Sequence, residues 1–261
     1  MPTPRPAARP PAFARRPAAV WLADALVVVA IAAWAIGARS LPEFVLPGPG
    51  AVAARLLALF TDADFLVHTV ASTVRVLVSV LLALVIGGSL ALLARALPLL
   101  DGVISGLLLP FLNAFPSIAW AILAAIWFAP GHLSIIFVQV AILVPFCLIN
   151  VAEGLRQIDR EVLEMAESFT RRRGRVLFSV TLPLLMPYLS GALRIAYGVA
   201  WKIALVAELL GSTSGLGYLM LRAQGSADLV TVLAACLAIV ALYYAGERLL
   251  LDPLARRFAG R

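Results

Sequence analysis

The chain has 261 residues, of which 62% are hydrophobic and 13% charged, and its mean hydropathy is +1.00. This composition is typical of a protein that crosses a membrane several times, and it excludes a soluble domain. The net charge of +7 would suit a nucleic-acid-binding protein, but most Lys and Arg residues fall in segments that one topology places on the cytosolic side. The positive-inside rule therefore explains the charge, and nucleic acid is not an expected partner.

The N-terminal residues 1–19 are rich in Pro, Ala and Arg, which predicts a disordered cytosolic tail. The apolar run at 20–38 follows Arg15 and Arg16 and is long enough to span a membrane from the inside to the outside. A cleaved signal peptide is the alternative interpretation, but the run is longer than the hydrophobic part of such a peptide. We therefore predict an uncleaved membrane anchor.

Hydropathy predicts an all-α polytopic membrane protein with six transmembrane helices and one transmembrane domain over residues 20–251. A short apolar stretch after Pro47, interrupted by Arg55, is predicted to be an interfacial helix on the outer face. Both termini, including the tail 252–261, and the charged loop 152–187 are expected in the cytosol, because this arrangement gathers the arginine clusters on one side. The predicted spans lie at about 20–38, 71–94, 103–128, 133–151, 188–210 and 229–250.

Prolines interrupt two regions of the predicted helices. Pro110 and Pro116 lie inside the third span, and such breaks survive in a membrane only where neighbouring groups satisfy the freed backbone. The third span is therefore expected to line the interior of the bundle. A second short helix is predicted from Arg175, and Pro183 and Pro187 are expected to break it before the fifth span.

The longest charged segment, residues 159–188, reads as a docking element between spans. Asp159 is predicted to cap a short amphipathic helix that carries Val162, Ala166 and Phe169 on one face. Gly174 is predicted to end this helix, after three arginines that suit a helix C-terminus. A charged and partly apolar element between hydrophobic spans suggests a surface on which another protein docks.

The fifth span carries the informative polar residues. Arg194, Trp201 and Glu208 are spaced by seven, which leaves them within about 40° of one another around a helix. Lys202 falls on the adjoining sector. Charges in a span are costly against lipid, so this stripe predicts a water-filled path or a partner helix. The alternative is that Arg194 and Glu208 snorkel toward opposite faces; for Arg75, near the outer end of the second span, snorkelling is our prediction.

Catalytic chemistry and metal binding are not expected. Cys147 and Cys236 each lie in an apolar run and read as buried hydrophobic residues, and a hydrophobic span separates His68 from His132. The one lysine, Lys202, follows a tryptophan and not a glycine, so the chain contains no P-loop. No nucleophile–base pair or carboxylate dyad is visible, and we predict that the chain is not an enzyme.

Several motifs of the chain resemble a known family. The charged segment follows the pattern E-A-A-x3-G-x9-I-x-L-P, which Glu164, Ala166, Leu182 and Pro183 match. Met165 stands at the first alanine of the pattern, Thr170 at its glycine and Val180 at its isoleucine. Further matches over about residues 41–250 are LPGPGAV at 46–52, Ser72 with Arg75, PSIAW at 116–120, WFAPG at 127–131, Ala200 with Trp201, Glu208, and GLGYL at 215–219. Together they resemble the permease subunits of bacterial binding-protein-dependent ABC importers of the nitrate, sulfonate and taurine type.

This resemblance implies a type I importer permease with a cytosolic coupling helix between spans 4 and 5, in the bacterial inner membrane. It implies as partners a dimer of ABC ATPase subunits, a periplasmic or lipid-anchored solute-binding protein and a second permease, with a homodimer expected. ATP and Mg²⁺ would bind the ATPase, and this chain would bind no cofactor. The residues implied to couple to the ATPase are Asp159, Val162, Glu164, Ala166, Phe169, Thr170, Gly174, Leu182 and Pro183, and those implied for the translocation path are Arg194, Trp201, Lys202 and Glu208.

One departure from the family pattern bears on the coupling loop. The family glycine turns the chain between two short helices, and Thr170 adopts positive φ less readily. Either Gly174 takes over the turn and lengthens the first helix by about one turn, or the Thr170 hydroxyl caps the second helix.

The substrate stays open at this stage. Arg194 and Lys202 favour a small anion such as a sulfonate, taurine or nitrate. A thiamine precursor or another heteroaromatic compound is the alternative within the same architecture. A different class, an ion-coupled secondary transporter with Glu208 as its coupling carboxylate, is the alternative outside it.

Overall fold

The computed structural model describes residues 18–170 and 172–254, and these residues are mostly helical and contain no β-strand. The predicted N-terminal tail at 1–17 and the last tail residues, 255–261, lie outside the described part. The helices are α1 (Ala18–Ser40), α2 (Pro49–Leu59), α3 (Ala63–Ala96), α4 (Pro98–Val103), α5 (Leu109–Ala114), α6 (Ser117–Trp127), α7 (His132–Gln157), α8 (Arg160–Phe169), α9 (Arg173–Val176), α10 (Leu182–Gly211), α11 (Leu216–Gly225) and α12 (Leu229–Gly246). Three π-helical segments, Ile104–Leu108, Leu177–Thr181 and Glu247–Leu251, continue α4, α9 and α12.

Helices α3, α7 and α10 pack side by side and form the centre of the bundle. Gly87 of α3 permits this packing, because a Cβ atom there would lie only 2.8 Å from Cys147 Cβ and from the backbone of α7. Val76, Leu143 and Ala196, one from each helix, belong to the main buried cluster. The predicted all-α fold is confirmed.

Within the described residues, four helices are long and apolar enough to cross a membrane, and five if the bent pair α4–α6 counts as one span. These four cover 63–96, 132–157, 174–211 and 229–254, at the places of the second, fourth, fifth and sixth predicted spans. The first predicted span corresponds to α1, a 23-residue helix whose middle carries many exposed apolar side chains. The count of six spans stays a prediction.

The third predicted span is not one straight helix. Pro116 follows the end of α5, and the chain bends by 87° before α6 begins at Ser117. Pro110 makes no such break, because it lies in the first turn of α5, directly after a π-helical segment. Ala121 and Ala124 of α6 are buried against α7 and α10, so this half of the span does face the interior.

The short helix predicted from Arg175 runs into the fifth span without a break. Pro183 and Pro187 were expected to interrupt it, but the chain is helical from Gly174 to Gly211. Pro183 occupies the first turn of α10 and Pro187 lies inside it. The expected break is absent because transmembrane helices tolerate proline where local π-helical adjustment, as at Leu177–Thr181, accommodates the freed backbone groups.

Helices α2 and α11 cover the end of the bundle that the predicted topology places outside. The predicted interfacial helix is present as α2, which packs on α12 and donates from Arg55 Nε to Thr231 Oγ1 over 2.9 Å. Helix α11 was not predicted. It packs against α10 and α12, and the chain reaches it through the short segment 212–215.

Candidate functional site

A groove of about 680 Å³ runs between α10 and α12. Three of the four predicted path residues, Arg194, Trp201 and Lys202, line it together with apolar side chains of both helices. Their spacing along one helix explains this, since residues seven or eight apart return to nearly the same face. The groove is therefore the feature of the structure that best matches a path along the fifth span.

Arg194, at the end of the groove nearer the C-terminus of α12, is not a free cation. Its Nη2 lies 2.6 Å from Asp252 Oδ1, and its Nη1 lies 3.7 Å from Glu247 Oε1. The two carboxylates offset the arginine charge and tie α10 to the π-helical segment after α12. Neither acid was predicted from the sequence, although an acidic residue at the end of an apolar span was the available signal.

Lys202 differs from Arg194 in having no counter-ion among residues 18–170 and 172–254. Its side chain is exposed, and no carboxylate of the described residues lies within ion-pair distance of it. Besides the groove it borders a second, smaller cavity of about 200 Å³ between α6, α7 and α10, which Ser117 and Ala207 also line. Lys202 thus lies between the groove and this second cavity and lines both.

Trp201 and Tyr243 form the aromatic part of the groove wall, and the buried Tyr197 packs behind them. The rings of Tyr197 and Tyr243 stack with centroids 5.6 Å apart, and Trp201 meets Tyr197 edge-on at 6.2 Å. Gly246 leaves room for the Tyr197 hydroxyl, because a Cβ atom at that position would collide with it. The wall joins α10 to α12 and fixes the Trp201 ring at the groove.

Glu208 lies apart from the other predicted path residues. Its carboxylate is buried, with Oε1 2.8 Å from Arg75 Nη1, both oxygens within 2.8 Å of Ser72 Oγ, and Oε2 accepting from Gly217 N over 3.0 Å. Glu208 therefore faces α3 and the start of α11 and does not line the groove. The Glu208 carboxylate is thus held in an ion pair inside the protein.

Arg75 does not snorkel, and that prediction is wrong. The side chain is 0% exposed, because the guanidinium finds all its partners inside the protein. Besides Glu208 it donates to Ser214 O over 2.7 Å, to Ser214 Oγ over 2.6 Å and to His132 Nδ1 over 3.1 Å. The interior thus satisfies the charge that would otherwise have to reach water.

The segment after α10, predicted as an outer loop, is fastened by the same cluster. Gly215 N donates to His68 Nδ1 over 3.0 Å, and Leu216 N donates to Ser72 Oγ over 2.8 Å. Gly215 has φ +111°, a conformation that favours glycine, and a Cβ atom there would collide with the Glu208 carboxylate. This cluster links α3, α7, α10 and the segment that leads into α11. Its buried members are Arg75, Glu208, His68 and Ser72, whereas Ser214 is half-buried and His132 exposed.

At the opposite end of the bundle, α8 is the predicted amphipathic helix. Asp159 caps it, accepting from Glu161 N over 2.9 Å, as the sequence predicts. The helix ends at Phe169, and Thr170 is extended with φ −153°. Gly174 does not end α8 or lengthen it, because it lies within α9, and the Thr170 hydroxyl accepts from Arg172 N over 3.3 Å. This bond forms a turn ahead of α9 and not a cap on it, because Val176 N donates to Arg172 O at the start of that helix. The structure therefore shows neither of the two expected turns; Arg171 lies outside the described residues.

The predicted docking residues lie on two different faces of α8, one packed on the bundle and one exposed. Ala166 is buried and Val162 half-buried against the bundle, whereas Glu164 is exposed. Phe169 is 85% exposed and Met165, one turn before it, 57% exposed. Leu182 and Pro183 lie farther along, in the first turn of α10. A pair of apolar side chains thus projects from a short helix at the margin of the bundle.

Comparison with known proteins identifies the architecture. The family described as "Binding-protein-dependent transport system inner membrane component" matches residues 84–259. A probable ABC transporter permease protein of Haemophilus influenzae is 34% identical over 206 residues, covering 78% of this chain and 82% of that protein. The taurine transport system permease protein TauC of Escherichia coli is 29% identical over 240 residues, covering 89% of this chain and 86% of that protein.

A third relative is the putative aliphatic sulfonates transport permease protein SsuC of Bacillus subtilis, 28% identical over 212 residues, which are 78% of this chain and 75% of that protein. The family match extends from the second span through α12 and includes the groove, the buried cluster partners on α10 and the docking helix. The chain belongs to the family of binding-protein-dependent transport system inner membrane components, and it is a multi-pass ABC importer permease of the inner membrane.

Proposed function

We propose that this chain is the permease subunit of an ATP-driven importer and forms the path for a small anionic solute that a solute-binding protein delivers. The observation that carries the proposal is α8, which projects an 85% exposed Phe169 from the side that the positive-inside rule places in the cytosol. An exposed aromatic residue beside an exposed methionine is typical of a site where another protein docks. The proposed partner there is the ABC ATPase.

The proposed coupling surface has two parts. Met165 and Phe169 insert into the ATPase, and Glu164 borders them with a charge that pairs with Arg160 over 3.0 Å in the free helix. The buried face of α8 transmits the movement to the bundle. The residues proposed for this segment remain Asp159, Val162, Glu164, Ala166, Phe169, Thr170, Gly174, Leu182 and Pro183.

ATP and Mg²⁺ bind the ATPase subunits in this proposal, and the permease itself binds no cofactor and catalyses no reaction. The absence of a P-loop around Lys202 supports this division. ATP binding closes the ATPase dimer, α8 follows it, and α10 and α12 re-orient around the groove, which is a rigid-body route to alternating access.

The proposed path is the groove with Arg194, Trp201 and Lys202. Because the groove is open on one side, we propose that a second copy of this chain covers it, so that the path lies between two permeases. Both termini are proposed to lie in the cytosol. In this proposal Glu208 does not contact the solute. It holds the segment 212–215, which closes the outer end of the path.

The solute is proposed to be an anion because Lys202 is an uncompensated cation on the groove. Relatives named for taurine and for aliphatic sulfonates agree with this choice. A heteroaromatic solute is the second candidate, and the observation that favours it is that Trp201 and Tyr243 line the groove.

The test is to purify the tagged chain from its native membrane in mild detergent and to identify the proteins that accompany it. We expect an ABC ATPase in the wild type and its loss in Glu164→Lys and in Phe169→Asp. Glu43→Lys is the matched control, because Glu43 is an exposed acid in the segment between α1 and α2.

Retention of the ATPase in both α8 variants would contradict the docking assignment. A chain that purifies alone and moves a solute down an ion gradient in liposomes would contradict the ATP-driven importer itself. In that case the ion-coupled transporter of the sequence analysis would become the better interpretation.

A further inference from the structure

A cavity of about 520 Å³ opens between α3, α4 and α7, away from the groove. It lies at the end of the bundle that the positive-inside rule places in the cytosol, because Arg95 and Arg156 belong to the last turns of α3 and α7. Asp101, in the first turn of α4, lies at the same end. Among the described residues, the lining of this cavity and that of the groove share none, so the two are separate.

The cavity is charged at its rim and apolar in its depth. The charged side chains of the rim are Arg95, Asp101, Glu153 and Arg156. Leu148 lies eight residues before Arg156, about 12 Å deeper along α7. Ala91 lies one turn deeper than Arg95 along α3, and both apolar residues belong to the buried cluster at this end. A soluble ligand would leave this apolar depth unfilled, whereas an acyl chain would bury it.

The two arginines of the rim are available to an anion. Arg95 donates from Nη1 to the Leu155 carbonyl, which holds its side chain against the last turn of α7. Within residues 18–170 and 172–254, neither Arg95 nor Arg156 lies within ion-pair distance of a carboxylate. Basic pockets between transmembrane helices on the cytosolic side bind lipid headgroups. The phosphate of a phospholipid is therefore expected at these two guanidinium groups.

The two carboxylates of the rim limit the kind of headgroup. Asp101 Oδ1 accepts from Ser105 Oγ over 2.7 Å, and Glu153 Oε1 accepts from Gln157 Nε2 over 2.9 Å. An ionised carboxylate has room for further donors beyond one such bond. A headgroup with negative charge alone would be repelled by both acids. A headgroup with a primary ammonium group beside its phosphate matches both signs, since its N–H groups can donate to the carboxylates.

We propose that this cavity binds a phospholipid of the inner leaflet whose headgroup combines a phosphate with a primary ammonium group. Arg95 and Arg156 hold the phosphate, Asp101 and Glu153 hold the ammonium group, and an acyl chain fills the depth beside Leu148. The lipid joins α3, α4 and α7 close to α8, which begins at Arg160. This inference goes beyond the proposed function and does not depend on which solute is carried.

The experiment is a lipid titration of the complex as it purifies from the native membrane. The complex is stripped of lipid in detergent, and native mass spectrometry counts the lipids that return to this chain. The probes are phosphatidylethanolamine, phosphatidylglycerol and phosphatidylcholine. We expect phosphatidylethanolamine to bind most tightly, because phosphatidylglycerol lacks the ammonium group and the ammonium of phosphatidylcholine carries no N–H. Glycerophosphoethanolamine, which has the headgroup without acyl chains, should not displace it at equal concentration.

Two sets of variants separate the phosphate from the ammonium group. Arg156→Gln should raise the apparent dissociation constant of all three lipids about five-fold, since a basic residue near the membrane surface contributes about that factor. Asp101→Asn combined with Glu153→Gln should instead remove the preference for phosphatidylethanolamine over phosphatidylglycerol. A merely structural role would not change that preference. Arg175→Gln is the matched control, because Arg175 is an exposed cation on α9 outside the cavity.

Unchanged affinity in Arg156→Gln would overturn the site itself. Equal binding of phosphatidylethanolamine and phosphatidylglycerol by the wild type, or an unchanged preference in the double variant, would overturn the assignment of the headgroup. Displacement by glycerophosphoethanolamine would show that the cavity takes a soluble phosphate compound and not a lipid. Binding to the separated permease but not to its complex with the ATPase would refute the inference too, since a protein would then cover the cavity.

Discussion

Arg75 on α3 and Glu208 on α10 form an ion pair of 2.8 Å in which the two side chains are 0% and 1% exposed. Each charge has further partners: the guanidinium contacts Ser214 and His132, and the carboxylate accepts from Ser72 and Gly217. A buried pair is strongly bound only when its remaining hydrogen-bonding groups are satisfied, and here they are. The pair therefore holds α3 and α10 together at the end of the bundle that the predicted topology places outside. Its loss should lower the free energy of unfolding.

Glu208→Gln should destabilise the protein, because it leaves the Arg75 charge buried without a counter-ion. Breaking a buried pair in this way costs about 3–5 kcal/mol. Thermal unfolding of the detergent-purified complex measures the effect. We also expect uptake to fall while the ATPase still co-purifies, since α8 lies at the other end of the bundle. A double variant, Arg75→Met with Glu208→Leu, should recover part of the stability; a single variant as stable as the wild type would refute the fastening.

Gly87→Ala should force α3 away from α7, whereas Gly88→Ala should be nearly neutral. A Cβ atom at Gly87 would meet α7 backbone and Cys147 Cβ at 2.8 Å, but at Gly88 the nearest atom is a Val151 methyl at 4.0 Å. Overpacking of this kind costs about 1–3 kcal/mol. The two neighbours share one helix and one substitution, so their difference in unfolding temperature isolates the contact. Equal unfolding temperatures would contradict the close approach.

Phe169→Ala should weaken ATPase binding without lowering the stability of the permease, since the ring is 85% exposed in the free chain. Ala166→Asp should do both, because Ala166 is buried and a carboxylate there would lose its water. Comparison of co-purified ATPase with thermal unfolding separates the two effects. A destabilised Phe169→Ala variant would show that the ring packs on the permease and does not dock elsewhere.

Asp228, the N-cap of α12, should make stability depend on pH. Burial alone raises the pKa of its carboxyl, but the hydrogen bonds from the Thr231 hydroxyl and backbone and the charge of Arg55 together lower the pKa below its ordinary 3.8. A carboxyl whose folded pKa is lowered stabilises the fold above its unfolded pKa and loses that effect as the pH falls through the folded value. The wild type should therefore exceed Asp228→Asn in unfolding temperature at neutral pH. The advantage should disappear in acid below about pH 4.

Much of the fold was predictable because hydropathy and charge act locally along the chain. The Asp159 cap, the amphipathic α8 and the break at Pro116 follow from short patterns, and the structure shows all three. The continuous helix through Pro183 and Pro187 was not predictable, because local π-helical geometry absorbed both prolines. The sequence left the turn after α8 open between Gly174 and Thr170, because spacing alone does not show that the helix ends at Phe169 and Thr170 is extended.

The candidate site was predictable along one helix but not across helices. Spacing by seven placed Arg194 and Trp201 on one face, and the structure brings them together in the groove. The ion-pair partners that determine the roles of Arg194 and Glu208 lie far away in sequence. Asp252 offsets the charge of Arg194 and Arg75 withdraws Glu208 from the groove, and both contacts depend on tertiary packing that periodicity does not report.

The sequence distance between Arg75 and Glu208 has a consequence for biogenesis. The two residues are 133 positions apart, so Arg75 leaves the ribosome long before its counter-ion is synthesised. During that interval the second span carries a charge that disfavours transfer into lipid. Until the fifth span arrives, water, lipid headgroups or other proteins have to satisfy the guanidinium. A chain truncated before Glu208 should therefore be less stable in the membrane than the complete chain.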